Sequence, residues 1–396
     1  SSFIFITSII YAVEAQAIGD SINAFAIDLL KETSTEPNSP PNLIISPYPI
    51  WTLLSIIDEG ARGNTATQLE NVLRIPGSPN KNNFRYDFTN MSNILAIKDQ
   101  DVNLDVYNSI FTTATQKLKS EFQDVSKNFY KVNVQPIDFQ NSKRASEVIN
   151  KYVSQATRNR ITNFISPDDL TNAQIFIVSA LYFKGTWMIP FNKSNTFRDT
   201  FYDEKQNKLG EVDMMYHMGF FPYSRIDSIR GYAVELPYGK GDKMSMIVIL
   251  PYKDQTIANM LQAMSKLPFQ TIMDMLDKAK IDFEGEDVKV YLPRFSVKSD
   301  LTLNRVLDKM GIQDVFDEAT ADLLNMFPHF LYISRLIQRA EIDVTEEGTV
   351  ASAAAGATII NKSPPPKFLA NKPFLYFIVN KPTKSIMFAG KVSTPP

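Results

Sequence analysis

The chain carries two histidines, His217 and His329, and no cysteine, so it offers little for side-chain catalysis. A Ser-His-Asp system would need one of those histidines as its base, and neither lies in a strand-turn-helix elbow motif. Both read instead as surface or loop residues. Without cysteine there is no thiol nucleophile, disulfide framework or thiolate metal site. Two histidines are too few for a His-rich site, and no carboxylate loop has calcium-ligand spacing, so neither a metal nor a cofactor is expected. Gly239-Lys240-Gly241 falls between two strand patterns and reads as a hairpin turn rather than a phosphate cradle. Glu346 and Glu347 precede a glycine and, taken by themselves, read as solvated surface charge. Nothing here makes the chain an enzyme.

Chemistry of another kind is written into EEGTVASAAAGATIINKSPPPKFLANKPF, residues 346–374. Taken as a strand, its first half places Thr349, Ala351, Ala353, Ala355, Ala357 and Ile359 on one face. Val350, Ser352, Ala354, Gly356, Thr358 and Ile360 fall on the other. A solvated linker would be spiked with charge, and neither face has any. Entering a sheet as a new strand, such a segment would gain about ten ladder hydrogen bonds at a net of roughly 1 kcal/mol each. The prolines after Ser363 have no N–H to extend that ladder and would hold the far end stiff. The stretch reads as an exposed bait loop anchored at both ends.

A loop of this kind needs a large fold to hold it. The 396 residues are 44% apolar and 21% charged, near globular averages, and can bury a large core. A net charge of −2 gives no basic field for nucleic acid and no polybasic segment for a membrane surface. The opening SSFIFITSIIYAVEA, residues 1–15, matches the apolar core of a secretory leader, with Val13 and Ala15 as the small residues before a cut after Ala15. A buried first element is the alternative reading. Secretion is therefore expected. Asn90-Met91-Ser92, Asn192-Lys193-Ser194 and Asn361-Lys362-Ser363 fit the glycosylation pattern, although Pro364 spoils the last.

Helical spacing recurs over residues 19–30, 51–57, 66–73, 145–155 and 301–310, and most of the first 170 residues look helical. Strand patterns follow at 173–183, 232–236, 244–250, 288–292, 374–379 and 385–392. Residues 33–42 and 351–366 have linker composition. A cut at either would leave a fragment without a core, so one α+β domain over 16–396 is the simpler reading.

Blocks along nearly the whole chain resemble the serpin family: NLIISPYPIWTLLSIIDEGARGNTATQLENVL, VSALYFKGTWMIPF with Trp187, VELPYGKGDKMSMIVILP, YLPRFSV, EIDVTEEGT, NKPFLYFIV and IMFAGKV, in that order. The resemblance implies helices around a large central sheet, with a reactive-centre loop at about 346–367. It also implies a suicide-substrate inhibitor that acts as a monomer. A serine protease would attack the loop and form an acyl-enzyme, then be trapped as the cleaved loop inserts into the sheet. By position, Gly348 and Thr349 match the hinge that bends first, and Ala351 to Ala355 its small-residue stretch, including Ser352, Ala353 and Ala354. Counting from Glu346 to Asn371 puts the reactive bond between Lys362 and Ser363, which implies a trypsin-like target. Glu346 should ion-pair with Arg294 at the top of the sheet, near Trp187.

Some positions depart from the family. Where the sheet opens, just after Ser46, a serine, an asparagine and a histidine commonly form one hydrogen-bonded cluster. The matching residues here are Pro49, Ser179 and Gln338. Pro49 has no hydroxyl and no N–H, so that network must be smaller or rebuilt. Val350 replaces the usual glutamate, a mild change for a strand former. A non-inhibitory binding, carrier or storage protein on the same fold is the competing reading. The hinge, free of bulky or charged residues, favours inhibition, and Pro49 favours the alternative. Lys117 and Lys119 are the one short basic patch that would serve a glycosaminoglycan partner.

Overall fold

In the computed structural model of the chain, which describes residues 2–77, 81–95, 101–284, 286–347 and 364–396, the first element is a long helix, α1 (Ser2–Ser34). Its side chains are described from Ala17 onward, beyond the stretch read as a leader. Ile22, Phe25, Ala26, Leu29 and Leu30 form a buried stripe at helical spacing, which docks α1 on the core. Thr33 is buried and Asn42 accepts from the N–H groups of Ser393 and Thr394 at 2.8 and 3.1 Å, so residues 33–42 are fastened down rather than a loose linker.

The further helices are α2 (Pro47–Gly60), α3 (Gly63–Leu73), α4 (Lys81–Leu95), α5 (Ser120–Val125), α6 (Ser142–Ala156), α7 (Ile257–Met264), α8 (Phe269–Asp282) and α9 (Asn304–Met310). The strands up to the large hairpin are β1 (Leu43–Ile45), β2 (Val102–Thr113), β3 (Asn133–Ile137), β4 (Ile175–Gly185), β5 (Phe197–Tyr202), β6 (Lys208–Gly219), β7 (Tyr223–Ile226), β8 (Gly231–Tyr238) and β9 (Met244–Pro251). After them come β10 (Val288–Pro293), β11 (Phe295–Thr302), β12 (Ile333–Val344), β13 (Lys367–Leu369), β14 (Phe374–Asn380) and β15 (Ser385–Val392). They build three sheets, ordered β11-β12-β4-β2-β3, β13-β10-β6-β5 and β1-β15-β14-β9-β8-β7.

The α+β expectation holds, with three differences of detail. The first 170 residues also contain β2 and β3: β2 pairs with β4, which lies about 60 residues along the sequence, and β3 adds to the outer side of β2. Residues 301–302, expected to open a helix, finish β11 because Leu301 and Thr302 pair with Gln338 and Ile337. Strands β1, β5, β6, β7, β11, β12 and β13 lie outside the expected strand patterns: half-exposed residues blur the alternation in β5, β6 and β12, whereas β11 buries every second residue from Phe295 but has a serine, Ser299, at the third inward position. The turn at Gly239 does close the β8–β9 hairpin.

Strand β4 explains how the layers stack. Phe176, Val178 and Ala180 pack against α6 on one face, whereas Ile175, Ile177, Leu181 and Phe183 join the cores on the other. Buried on both sides, it reads IFIVSALYF with almost no polar residue. Beneath it, β1 and β15 approach so closely that a Cβ on Gly390 would lie 2.3 Å from both the Leu43 carbonyl oxygen and Tyr376 Cζ. The Tyr376 hydroxyl donates to that same carbonyl at 3.0 Å, which fixes the crowding. Gly390→Ala is expected to cost about 3 kcal/mol through overpacking. A denaturant titration checks this; a loss under about 0.5 kcal/mol would mean the two strands can part freely.

Candidate functional site

Strands β12 and β4 lie side by side and parallel, in nine registered pairs from Ile333↔Ile175 to Ile342↔Phe183. At the end of β12 the chain runs through Thr345, Glu346 and Glu347 into residues 348–363, which lie outside the described residues. It returns at Pro366, whose carbonyl accepts from Lys289 N–H at 2.9 Å, and enters β13, parallel to β10. The two feet of the segment therefore stand on different sheets. Arg294, the single residue between β10 and β11, joins those sheets.

Arg294 grips the first foot. Its Nε and Nη2 donate to Glu346 Oε2 and Oε1 at 3.1 and 2.5 Å, and the Thr196 hydroxyl donates to Oε1 at 2.7 Å. Glu346 is only 2% exposed, which corrects the first reading of it as solvated charge and bears out the expected ion pair. Burial pushes its carboxyl up, but the guanidinium and hydroxyl outweigh this and hold it below the usual carboxylate value. Glu347 is more exposed and pairs with Lys184 on β4 at 2.8 Å.

Trp187 closes the top of the seam. Its indole N–H donates to the Thr345 carbonyl at 2.7 Å, its backbone N–H to the Glu347 carbonyl at 3.0 Å, and its ring stacks on Tyr238 at 4.4 Å. Lower down, the Tyr182 hydroxyl on β4 reaches across to Asp343 Oδ2 on β12 at 2.8 Å.

Midway, Gln338 sits opposite Ser179 in register, both fully buried. Gln338 Nε2 donates to Ser179 Oγ at 3.2 Å and to the Ser46 carbonyl at 2.8 Å, and its Oε1 accepts from Ser46 N–H at 2.8 Å. The Ser46 hydroxyl donates to the Met387 carbonyl at 2.7 Å. Of the two outcomes expected at Pro49, a smaller network or a rebuilt one, the second is found: it is rebuilt around the backbone of Ser46. Pro49 is buried in the first turn of α2, where its missing N–H costs no helix bond.

Other candidates separate from this site. His217 is on β6, not in a loop, edge-on to Phe191 and Phe221, and burial lowers its pKa. His329 is exposed. Among the described residues no cluster could hold a metal ion, and no helix is long and apolar enough to cross a membrane. Lys119 turns its ammonium to the Leu324 carbonyl at 2.6 Å, and with Lys117 it lines a groove that also holds Glu59 and Glu121. Asn90 lies exposed on α4, and Asn192 is exposed in a short turn. The hinge from Gly348, Thr349 and Val350 onward, the Lys362–Ser363 bond and Asn361 lie outside the described residues. The partners Thr196, Lys184 and Asp343 left no sequence signal, because each contact joins distant segments.

Residues 20–395 match the family described as Serpin (serine protease inhibitor). Human Serpin B11 is 31% identical, the alignment covering 94% of this chain and 97% of that protein. Human leukocyte elastase inhibitor is 30% identical, with the same coverage of each. Among solved structures, maspin superposes with a TM-score of 0.84 at 25% identity, covering 96% of this chain and all of that one. Serpin-12 of Manduca sexta gives 0.81 at 26%, covering 95% and 98%. The matched length, the order of the sheets and the clasped β4–β12 seam agree: the chain belongs to the serpin family.

Proposed function

We propose that the protein is a secreted inhibitor of trypsin-like serine proteases that traps its target as an acyl-enzyme. The observation that carries this is the parallel β4–β12 pair with the 346–363 segment leaving directly from the end of β12. A segment that folds back after Glu347 runs antiparallel to both neighbours and can hydrogen-bond to each of them. Its small, uncharged faces suit a position between two buried strands.

In the reaction, the protease serine Oγ attacks the Lys362 carbonyl carbon. The Lys362–Ser363 peptide bond breaks, the Ser363 amine leaves with the proton, and Lys362 stays as an ester on the protease. The freed segment then enters the sheet and carries the ester-linked protease with it. Distortion of the protease halts hydrolysis of that ester. Lys362 selects the target, since its ammonium needs a carboxylate at the base of the specificity pocket and would be buried unpaired in an apolar one.

The leader-like residues 1–15 support secretion, and exposed Asn90 and Asn192 would accept glycans there. For a glycosaminoglycan partner the support is thin. A serpin of similar fold, protease nexin-1, was solved with heparin, but here the Lys117–Lys119 patch is shared with carboxylates.

Two outcomes are expected. Mixed with trypsin, the protein should give a complex stable on a denaturing gel, and the released peptide should begin at Ser363. Lys362→Phe should keep the trap and move it to chymotrypsin-like enzymes. Quantitative cleavage without a complex would instead support a non-inhibitory carrier. Separately, Arg294→Met leaves Glu346 buried without its cation and should cost about 1–3 kcal/mol at pH 7. Because the Glu346 pKa is depressed by its partners, the stability it supplies is present above its unfolded value and lost as pH falls through the folded one. The penalty of Arg294→Met should therefore shrink toward pH 4, and melting curves of both proteins at pH 4 and 7 check this. A penalty equal at both pH values would show that the pair does not stabilise the foot.

A further inference from the structure

Beside the second foot of the loop lies an apolar groove of about 400 Å³, where the turn from β6 to β7 meets the end of α8. Phe221 and Val288, both buried, form its floor, and the half-buried Phe220 and Tyr223 line it higher up. Pro366, the residue before β13, borders it. Phe283, at the C-cap of α8, also lines the groove and is 51% exposed. Standing alone, an exposed phenylalanine would need no explanation; here it carries the apolar surface of a groove out into solvent.

The rim is acidic. Residues 282–289 hold Asp282, Glu284, Glu286 and Asp287 against one cation, Lys289. Glu286 and Asp287 line the groove itself. Among the described residues none of the four carboxylates makes an ion pair, and two cations close by are spent elsewhere. Arg225, which also lines the groove, donates from Nε to Asp227 Oδ1 at 2.8 Å and lies over the Tyr252 ring at 5.2 Å. Lys280 pairs with Asp242 at 3.5 Å. An aromatic groove under unpaired carboxylates suits an arginine or lysine side chain, because the apolar stem and the charged head each find a match.

Position along the chain names the occupant. Pro366 follows Ser363 by three residues, and even a fully extended chain spans only about 11 Å over that distance. The Pro366 carbonyl is held by Lys289 N–H on β10, so groove and loop foot keep a fixed place relative to one another. A protein gripping the Lys362–Ser363 bond covers about 800 Å² of its partner, a patch of roughly 16 Å radius, and so reaches the groove. We propose that the groove is a docking site for the attacking protease, which it takes by a cationic surface segment outside the protease's own specificity pocket. The inference rests on the reading of Lys362–Ser363 as the attacked bond. Lys362 selects the class of protease, and the groove ranks members of that class by surface charge, speeding encounter with the basic ones.

Cationic and anionic trypsin share one specificity and differ in surface charge, so the pair tests this. Cutting of the full chain at Lys362–Ser363 is followed with each enzyme, and each rate is divided by that enzyme's rate on a free peptide of residues 355–366. The cationic enzyme should be favoured about tenfold at low salt, and the preference should vanish at about 1 M, where charges are screened beyond about 3 Å. Glu284→Gln, Glu286→Gln and Asp287→Asn together should bring the low-salt ratio near one. Phe283→Ser should slow the cationic enzyme several-fold at either salt concentration, because that contact is apolar. A ratio near one in the wild type, a ratio that the triple variant leaves unchanged, or wild-type rates in Phe283→Ser would overturn the docking site. Cutting needs no trap, so the preference is expected even where no stable complex forms; that result would fell the inhibitor reading alone, whereas a first cut elsewhere would fell both.

Discussion

Strands β4 and β12 are joined by no short connection. They meet across about 160 residues of chain, so only their ladder and the side chains that span it hold the seam closed. Among the described residues polar clasps reinforce it along its length: Gln174 to Ser334 where β4 begins, Gln338 to Ser179, Tyr182 to Asp343, Trp187 to the chain at Thr345 and Glu347, and Glu347 to Lys184. Each hydrogen bond contributes about 1 kcal/mol net, and none is covalent. A seam of this construction can part without tearing any local element. Everything proposed for the loop depends on that.

Position along the seam matters. The Gln338 clasp is fully buried, so breaking it exposes no water-satisfied alternative until the strands have separated. The clasps at Trp187 and Glu347 lie where the loop departs, and with the Arg294 grip on Glu346 they restrain the first residues that would move. Rebuilding the middle cluster on the Ser46 backbone rather than a side chain at Pro49 ties the start of α2 to β12, and through the Met387 carbonyl to β15. Opening the middle of the sheet therefore also loosens the layer below it.

The sequence made parts of this legible for definite reasons. Strands β4, β9 and β14 are buried on both faces and read as apolar runs; the loop stands out because small residues repeat without charge. The Glu346–Arg294 pair came from resemblance alone, since fifty-two residues separate the partners. Strands β2, β6 and β12 escaped because each mixes buried and half-exposed positions. The burial of Asp58 and Glu59 was invisible: IIDEGARG looks like a helix ending in solvated acids, and only the packing of α4 over it, with Lys81 and Arg85 on the two carboxylates, shows them buried.

The central claim is that the β4–β12 seam accepts the loop as a new strand. Melting of the intact chain against the chain nicked at Lys362–Ser363 tests it most directly, because insertion gives the freed segment backbone partners on both sides. The nicked protein should melt at a markedly higher temperature than the intact one. An unchanged or lower midpoint, with the cut confirmed by sequencing, would contradict it.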